Sequence, residues 1–246
     1  MRRLAAAALL LLAAAAPAPA YGDPVAADLS SHVIEIGSGF TGASVVLFGA
    51  TLGSGDIIVV VRGPPHDVTV RRKTKIAGIW VNGQSVAFDH VPSYYAVAAS
   101  RPIVELLPPS ARARYHIGLA NLALEAEPPA TPQEAQRYGK ALIADQQRAG
   151  LFAKTTGEIT VLGGQLFRAT LSFPANVPTG VYSVDILLVR DGAVVGERST
   201  LLDVITVGIN AALSDFSVEH SAAYGVVAVV MALMAGWLAS LPFRGA

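Results

Sequence analysis

The chain has 246 residues, and its 18 basic and 18 acidic side chains give a formal net charge of zero at neutral pH. It therefore lacks the basic excess of a nucleic-acid-binding protein, and the absence of cysteine excludes disulfides, thiolate metal sites and cysteine nucleophiles. Hydrophobic residues make up 52% and charged residues 15% of the chain, against about 45–50% and about 25% in typical soluble proteins.

The apolar excess begins at the N-terminus, which has the organisation of a secretory signal peptide. Arg2 and Arg3 precede an uncharged apolar run over residues 4–16, and Pro17-Ala18-Pro19-Ala20 follows. The run is shorter than the about 20 residues of a membrane span, and the small residues favour cleavage. We predict that residues 1–20 are removed after Ala20 and that the rest is exported; the alternative is a retained anchor.

Residues 21–107 are predicted to form a β-sandwich lobe. Short apolar segments between turn residues predict strands at 31–36, 43–49, 56–62, 67–73, 76–81, 84–88 and 94–100. Asn82-Gly83 predicts a tight hairpin turn, because both central positions of such a turn need positive φ. Seven short strands without a helical period favour an antiparallel, immunoglobulin-like (Ig-like) β-sandwich.

One amphipathic helix is predicted at 132–149, inside a linker that covers 108–156. Thr131 is suited to the N-cap, Pro132 to the first helical position, and Glu134 completes a T-x-x-E capping box. Gly150 follows the predicted end. Apolar residues along one stripe indicate that the helix lies on a sheet.

A second β lobe is predicted at 157–208. Apolar and polar residues alternate from Phe167 to Phe173, Asp191-Gly192 marks a turn, and Pro178 begins a P-x-G-x-Y pattern ending at Tyr182. In sandwich domains such a tyrosine bonds back to the backbone. This region has too few strands for a complete sandwich. Either this lobe recruits residues 101–120, or all the strands form one larger body.

Residues 222–241 contain no charged residue and predict a C-terminal transmembrane helix, because at about 1.5 Å per residue they cover the roughly 30 Å hydrocarbon core. An amphipathic juxtamembrane segment at 209–220 precedes it, and 242–246 follow as a cytoplasmic tail. The alternative is a buried core helix. The predicted leader orients the chain as a single-pass inner-membrane protein with a periplasmic body and a cytoplasmic C-terminus.

Small residues follow one stripe of this helix at spacings of three or four. Such a stripe lets a second helix approach closely in lipid, which makes it a candidate helix-packing face for another integral membrane protein or for self-association. In an alanine-rich chain the same spacing also arises by chance. The residues are Ser221, Gly225, Ala228, Ala232, Gly236 and Ser240.

The sequence gives little indication of catalysis. Residues 37–42 fit G-x-G-x-x-G, but a strand-like segment follows where a dinucleotide site requires a helix, so we predict a glycine-rich turn. His66-Asp67 and Asp89-His90 could meet as a metal or acid–base site, although such loop-end histidines are usually only solvated. We predict no enzymatic activity, no catalytic residues, no cofactor and no metal.

A basic cluster at residues 71–75 is the candidate binding patch. Strand alternation places Arg71, Lys73 and Lys75 on one face, and Trp80 lies close by in the sequence. The patch would contact an anionic ligand, an acidic partner or lipid headgroups. The alternative is a charged edge strand that discourages aggregation.

Several short motifs together resemble the putative transmembrane protein family of Alphaproteobacteria. They are Gly39-Phe-Thr-Gly42 with Leu47-Phe-Gly49, Lys75-x-x-Gly78-x-Trp80-x-Asn82, Pro92-Ser-Tyr-Tyr95, Leu166-Phe-Arg-Ala169, Pro174-Ala-Asn-Val-Pro178 with Gly180-x-Tyr182, Tyr224-Gly225, Gly236-Trp-Leu-Ala239 and Phe243-Arg244. The resemblance covers nearly the whole mature chain. It implies an inner-membrane protein with a periplasmic domain, and an association with sulfite-exporter-type permeases.

These observations together predict a non-enzymatic inner-membrane accessory protein. Its periplasmic β domain would bind a partner or ligand, and its helix would contact a membrane partner such as a permease. The alternative is an envelope-assembly or cell-wall-binding module for which the helix is only a tether.

Overall fold

The computed structural model describes residues 24–76, 78–208, 225–226, 229–234 and 237, without the side chains of Ile76 and Trp80. The predicted leader (1–20), juxtamembrane segment (209–220) and tail (242–246) lie outside this range, as does most of the predicted span (222–241). The described positions between 225 and 237 are helical. Within the described part of the chain, no helix has both the length and the apolar character needed to cross a bilayer.

The protein is mainly β, as predicted, with few helices. The strands are β1 (Val25–Leu29), β2 (Val33–Ile36), β3 (Gly42–Thr51), β4 (Asp56–Arg62), β5 (Pro65–Ile76), β6 (Ile79–Pro92), β7 (Tyr95–Ala99), β8 (Glu125–Ala126), β9 (Gly157–Leu162), β10 (Leu166–Pro174), β11 (Gly180–Arg190) and β12 (Ala193–Thr206). Before residue 209 the helices are α1 (Ile103–Leu106), α2 (Pro109–Arg114) and α3 (Pro132–Arg148), and a 3-10 turn covers Leu119–Asn121.

The strands form a large curled sheet and a small one. The large sheet has the order β1-β3-β10-β9-β7-β4-β11-β12-β2, and the small one β5-β6-β8. Neighbours are antiparallel except for the pairs β12–β2 and β7–β9. Because β1 contacts β12 near the other end of this order, the large sheet curls around its own inner face.

The two predicted lobes share this large sheet. Strand β3 pairs with β10 over Gly42–Ala50, and β4 pairs with β11 over Asp56–Arg62. The sheet order joins strands of the predicted lobe at 21–107 to strands of the predicted lobe at 157–208. This corresponds to the alternative in which the strands form one larger body, because each central strand of the large sheet has one partner from the other half of the chain.

Strand β4 separates two hydrophobic cores. Ile57, Val59 and Val61 face the core inside the curled sheet. Ile58 and Val60 face a second core between this sheet and a layer made of α1, α3 and the β5–β6 hairpin. The predicted linker at 108–156 thus folds as part of this layer.

The helix prediction is confirmed in detail. Helix α3 begins after Thr131, whose side chain accepts a hydrogen bond from the Glu134 backbone N–H, while the Glu134 carboxylate accepts one from the Thr131 backbone N–H. Its buried residues are Tyr138, Gly139 and Leu142, and Tyr138 and Leu142 belong to the second core. Gly150, with φ of +78°, follows the helix.

Three further predictions, one for a strand and two for turns, are also confirmed. Along β10, the buried residues run from Phe167 to Phe173 at every second position. Asp191 and Gly192, both with positive φ, connect β11 to β12. Residues 37–41 form a loop between β2 and β3 rather than a dinucleotide site.

The predicted turn at Asn82-Gly83 is wrong. The β5–β6 register pairs Ile76 with Ile79, so the turn falls between these two residues, and Gly78 has φ of +86°. Asn82 and Gly83 lie inside β6, where the register shifts by one residue opposite Arg72. Glycine is suited to both structures, because a tight turn needs positive φ, whereas a glycine inside a strand permits a bulge and a close backbone approach.

A tyrosine at the start of β11 fixes the entry of that strand, as the P-x-G-x-Y pattern predicts. The Tyr182 hydroxyl donates a hydrogen bond of 2.6 Å to the Pro178 carbonyl. The ring packs edge-to-face on Phe173, 5.9 Å between centroids, and lies 6.0 Å from Tyr94. The Tyr94 hydroxyl in turn donates to the Ser172 carbonyl at 2.7 Å.

This tyrosine pair predicts a loss of stability in alkali. Burial raises the pKa of both Tyr94 and Tyr182 to about 12, whereas an unfolded tyrosine titrates near about 10. The native state therefore holds two protons that the unfolded chain releases between these values. The stabilisation is complete below about pH 10 and decreases as the pH rises toward 12.

Chemical denaturation at pH 9 to 12 checks this expectation. In Tyr94→Phe and in Tyr182→Phe, the pH-dependent fall in unfolding free energy should be smaller by up to about 1.4 kcal/mol per pH unit. Phe173→Leu is the control, because it disturbs the same aromatic cluster without removing a titrating group and should keep the native slope. An unchanged slope in both tyrosine variants would contradict the assignment.

Candidate binding surface

Residues 71–85 form an exposed β-hairpin, which we call the basic arm. It consists of the distal parts of β5 and β6, paired from Arg71–Ser85 to Ile76–Ile79. Every side chain described within it is exposed, on both faces of the ladder. The arm therefore projects from the body, and strand alternation does not divide it into a core face and a solvent face.

The arm is strongly cationic. It contains Arg71, Arg72, Lys73 and Lys75 and no acidic residue. Among the residues that the structure describes, none forms a salt bridge with Arg71, Arg72 or Lys73. The structure thus brings the predicted patch residues Arg71, Lys73 and Lys75 together on one exposed strand.

Apolar side chains accompany these cations near the turn. Ile79 is 69% exposed and Val81 is 36% exposed. The side chain of Trp80, the fourth predicted patch residue, lies outside the described atoms, although its backbone pairs with Lys75. Exposed aliphatic groups beside cations form a surface with both an electrostatic and a hydrophobic component.

The base of the hairpin is anchored in the second core. Val86 and Phe88 are buried there, with Val68 and Val70 packed against them from β5. The Tyr138 hydroxyl of α3 donates to the Gln84 carbonyl at 3.3 Å. Phe88, Tyr94 and Tyr95, which follow the basic cluster in the sequence, are all buried and belong to the core.

A small cavity lies where the arm meets α3. Its volume is about 220 Å³, and its lining residues are Val70, Arg71, Arg72, Arg137, Tyr138 and Ala141. We call it the three-arginine pocket. Arg137 could not be predicted from the sequence as part of this surface, because nothing local connects a helix position to a strand more than 60 residues earlier. Its signal is the position directly before Tyr138, whose hydroxyl bonds to the hairpin.

The two predicted histidine–acid segments meet beside the base of the arm. The His90 backbone N–H donates to the Asp67 carboxylate at 3.4 Å, and His90 has φ of +53°. A hydrogen bond with Asp89 raises the pKa of Glu127 above its usual value. Asp67, Asp89 and Glu127 thus form a group of neighbouring carboxylates. Within the described residues, no three histidine or acidic side chains are arranged to hold a metal ion.

The hairpin begins at the end of the sheet where β12 leaves the body. Arg62, at the end of β4, pairs with Ser183 of β11, and Gly180 at the same end of β11 pairs with Val204 of β12. Pro64 lies against Gly180, since a Cβ at Gly180 would be 2.8 Å from the Pro64 ring. Two strand spacings, about 10 Å, separate β4 from β12 at this end of the sheet.

The predicted helix-packing face is described at two of its six positions. Gly225 and Ala232 are helical and exposed. Ser221, Ala228, Gly236 and Ser240 lie outside the described part of the chain. The packing face therefore stays a prediction from sequence.

Comparison with known proteins gives one result that covers nearly the whole chain. A family model described as "Putative transmembrane protein (Alph_Pro_TM)" matches residues 24–245. A search of curated proteins gives no match. The match includes both the β body and the apolar C-terminal segment.

The observed turn position yields a test of the arm's register. Gly78→Ala should destabilise the turn by about 1–2 kcal/mol, because a side chain at positive φ is strained, while nothing lies within 4 Å of the added methyl. Amide hydrogen exchange across residues 71–85 should accelerate.

Gly37→Ala is the matched control, because its added methyl also has no neighbour within 4 Å and its φ is not positive. It should leave exchange in the arm unchanged. A larger effect from Asn82→Ala than from Gly78→Ala would instead place the turn at Asn82-Gly83.

Proposed function

Because the chain belongs to the family described as "Putative transmembrane protein (Alph_Pro_TM)", we propose that it is a membrane-tethered accessory protein without enzymatic activity. Its leader is cleaved after Ala20, its body lies in the periplasm, and residues 222–241 cross the inner membrane once. The tail at 242–246 is cytoplasmic. The β body binds a partner or ligand at the membrane surface.

The observation that carries this proposal is the basic arm. An active site places reactive groups in a concave pocket that excludes water. The arm is instead a projecting surface, with exposed cations and aliphatic side chains on a hairpin whose base is fixed in a hydrophobic core. Such a surface is suited to recognition of another molecule.

We also propose that the curled sheet is an Ig-like β-sandwich. The hydrogen bond from Tyr182 to the Pro178 carbonyl supports it, because sandwich domains use a tyrosine in this way at the start of a strand. Support also comes from the inner core, to which strands from both ends of the sheet order contribute. Sandwich domains commonly act as binding modules, although the fold alone does not determine function.

The predicted span supplies a second contact surface in this proposal. Helices in lipid associate through small residues that permit close backbone approach. The stripe that contains Ala228, Ala232 and Gly236 would pack against an integral membrane partner, for which a permease of the sulfite-exporter type is the candidate implied by family resemblance.

Leucine substitution along the stripe tests this contact. Ala228→Leu, Ala232→Leu and Gly236→Leu in one variant should abolish co-purification of a multi-span protein after crosslinking in native membranes, because the added side chains prevent close packing. The matched control is Val226→Leu, Val230→Leu and Met234→Leu on the opposite helix face, which should retain the partner.

Equal recovery of the partner with both triple variants would contradict the packing face. Retention of function in both would favour the alternative, an envelope-assembly or cell-wall-binding module for which the helix is only a tether. In that case a soluble fragment exported to the periplasm should also be functional.

A further inference from the structure

The three-arginine pocket concentrates positive charge that no lining residue balances. Arg71 and Arg72 reach it from β5 and Arg137 from α3, and none of its other lining residues is acidic. Glu134, one turn before Arg137, is occupied by the capping hydrogen bonds with Thr131. The three side chains are exposed, so water screens their repulsion, but their combined positive potential attracts an anion to the pocket.

The residue types identify the anion. Arginine presents a planar fork of N–H donors that matches the oxygens of a phosphate or carboxylate bidentately. A cavity of about 220 Å³ has room for roughly seven water molecules at about 30 Å³ each. It therefore accommodates a phosphate together with part of the group to which it is esterified.

The position of the arm favours a lipid as the source of that phosphate. The hairpin follows β4, which lies two strand spacings, about 10 Å, from β12 at the end where β12 leaves the sheet. Thirteen residues separate Gly208 from the predicted span at Ala222, which limits the tether to about 45 Å when fully extended. The twelve residues of β5 extend for about 36–40 Å, a comparable length.

The exposed aliphatic groups strengthen this choice. Basic segments beside a membrane are attracted to anionic headgroups, and aliphatic side chains next to them enter the boundary between headgroups and acyl chains. Ile79, 69% exposed, lies near the turn of the same hairpin. An acidic polypeptide would satisfy the cations but would not account for this apolar end.

We propose that Arg71, Arg72 and Arg137 bind the phosphate of an anionic phospholipid headgroup in the bilayer to which the chain is tethered. Lys73 and Ile79 contact the same surface outside the pocket. The inference deepens the proposed function by naming the ligand class, and it rests on the membrane tether of that function.

Isothermal titration of the full chain in a neutral detergent tests the pocket. The titrants are dihexanoyl-phosphatidylglycerol, dihexanoyl-phosphatidylcholine, inorganic phosphate and a polyglutamate peptide. The phosphatidylglycerol should bind with at least about tenfold higher affinity than each of the others. Arg137→Gln should weaken it by about tenfold or more, because it removes a charge-assisted hydrogen bond.

The matched control is Arg168→Gln on β10, an exposed arginine outside the pocket, which should leave the affinity unchanged. Arg71→Gln is a second pocket variant and should reproduce the effect of Arg137→Gln; the melting temperature of each variant confirms that it folds. Equal binding of the two lipids, or equal effects of Arg137→Gln and Arg168→Gln, would overturn the proposal. So would tighter binding of inorganic phosphate or of polyglutamate, which would assign the pocket to a free anion or to an acidic partner.

Carbonate extraction of native membranes separates this inference from the proposed function. Release of the chain would refute the membrane tether and therefore the proposed function. Retention of the chain, combined with no preference for phosphatidylglycerol, would refute only the lipid assignment of the three-arginine pocket.

Discussion

The burial of both faces of β4 is the constraint from which the architecture follows. Residues 57–61 are five consecutive aliphatic side chains, each at most 1% exposed. At about 1.5–3 kcal/mol for each fully buried side chain, the strand supplies a large share of the hydrophobic stabilisation, but only if both of its faces are covered. One face is covered by the curl of the large sheet, and the other requires a separate layer of helices and strands.

That second layer explains the position of the candidate binding surface. The β5–β6 hairpin covers the sheet with its base, where Val86 and Phe88 are buried, but it is longer than the core that it covers. The surplus length is the basic arm. Because α3 completes the same layer, it brings Arg137 beside Arg71 and Arg72. One packing arrangement thus both covers the second face of β4 and places the three arginines together.

Structures that depend on local sequence signals were predicted correctly, whereas the strand register, which depends on distant contacts, was not. The capping box at Thr131 and the hydrogen bond of Tyr182 each join residues three or four positions apart, so the pattern contains the whole interaction. The turn prediction at Asn82-Gly83 was wrong because a bulge and a turn both favour glycine. The burial of Val86 and Phe88 favours the observed register, since a shift in register would turn these side chains away from the core. The sharing of one sheet by both halves of the chain, and the contribution of Arg137, likewise arise only from tertiary packing.

In the proposed topology, a C-terminal span holds the β body outside the inner membrane. The chain has no cysteine, so a single introduced cysteine reports one position. A membrane-impermeant maleimide applied to intact spheroplasts should label Thr170→Cys, which lies on the exposed face of β10, and should label Ala246→Cys only after the membrane is opened. Labelling of Ala246→Cys in intact spheroplasts, or protection of Thr170→Cys, would contradict the account.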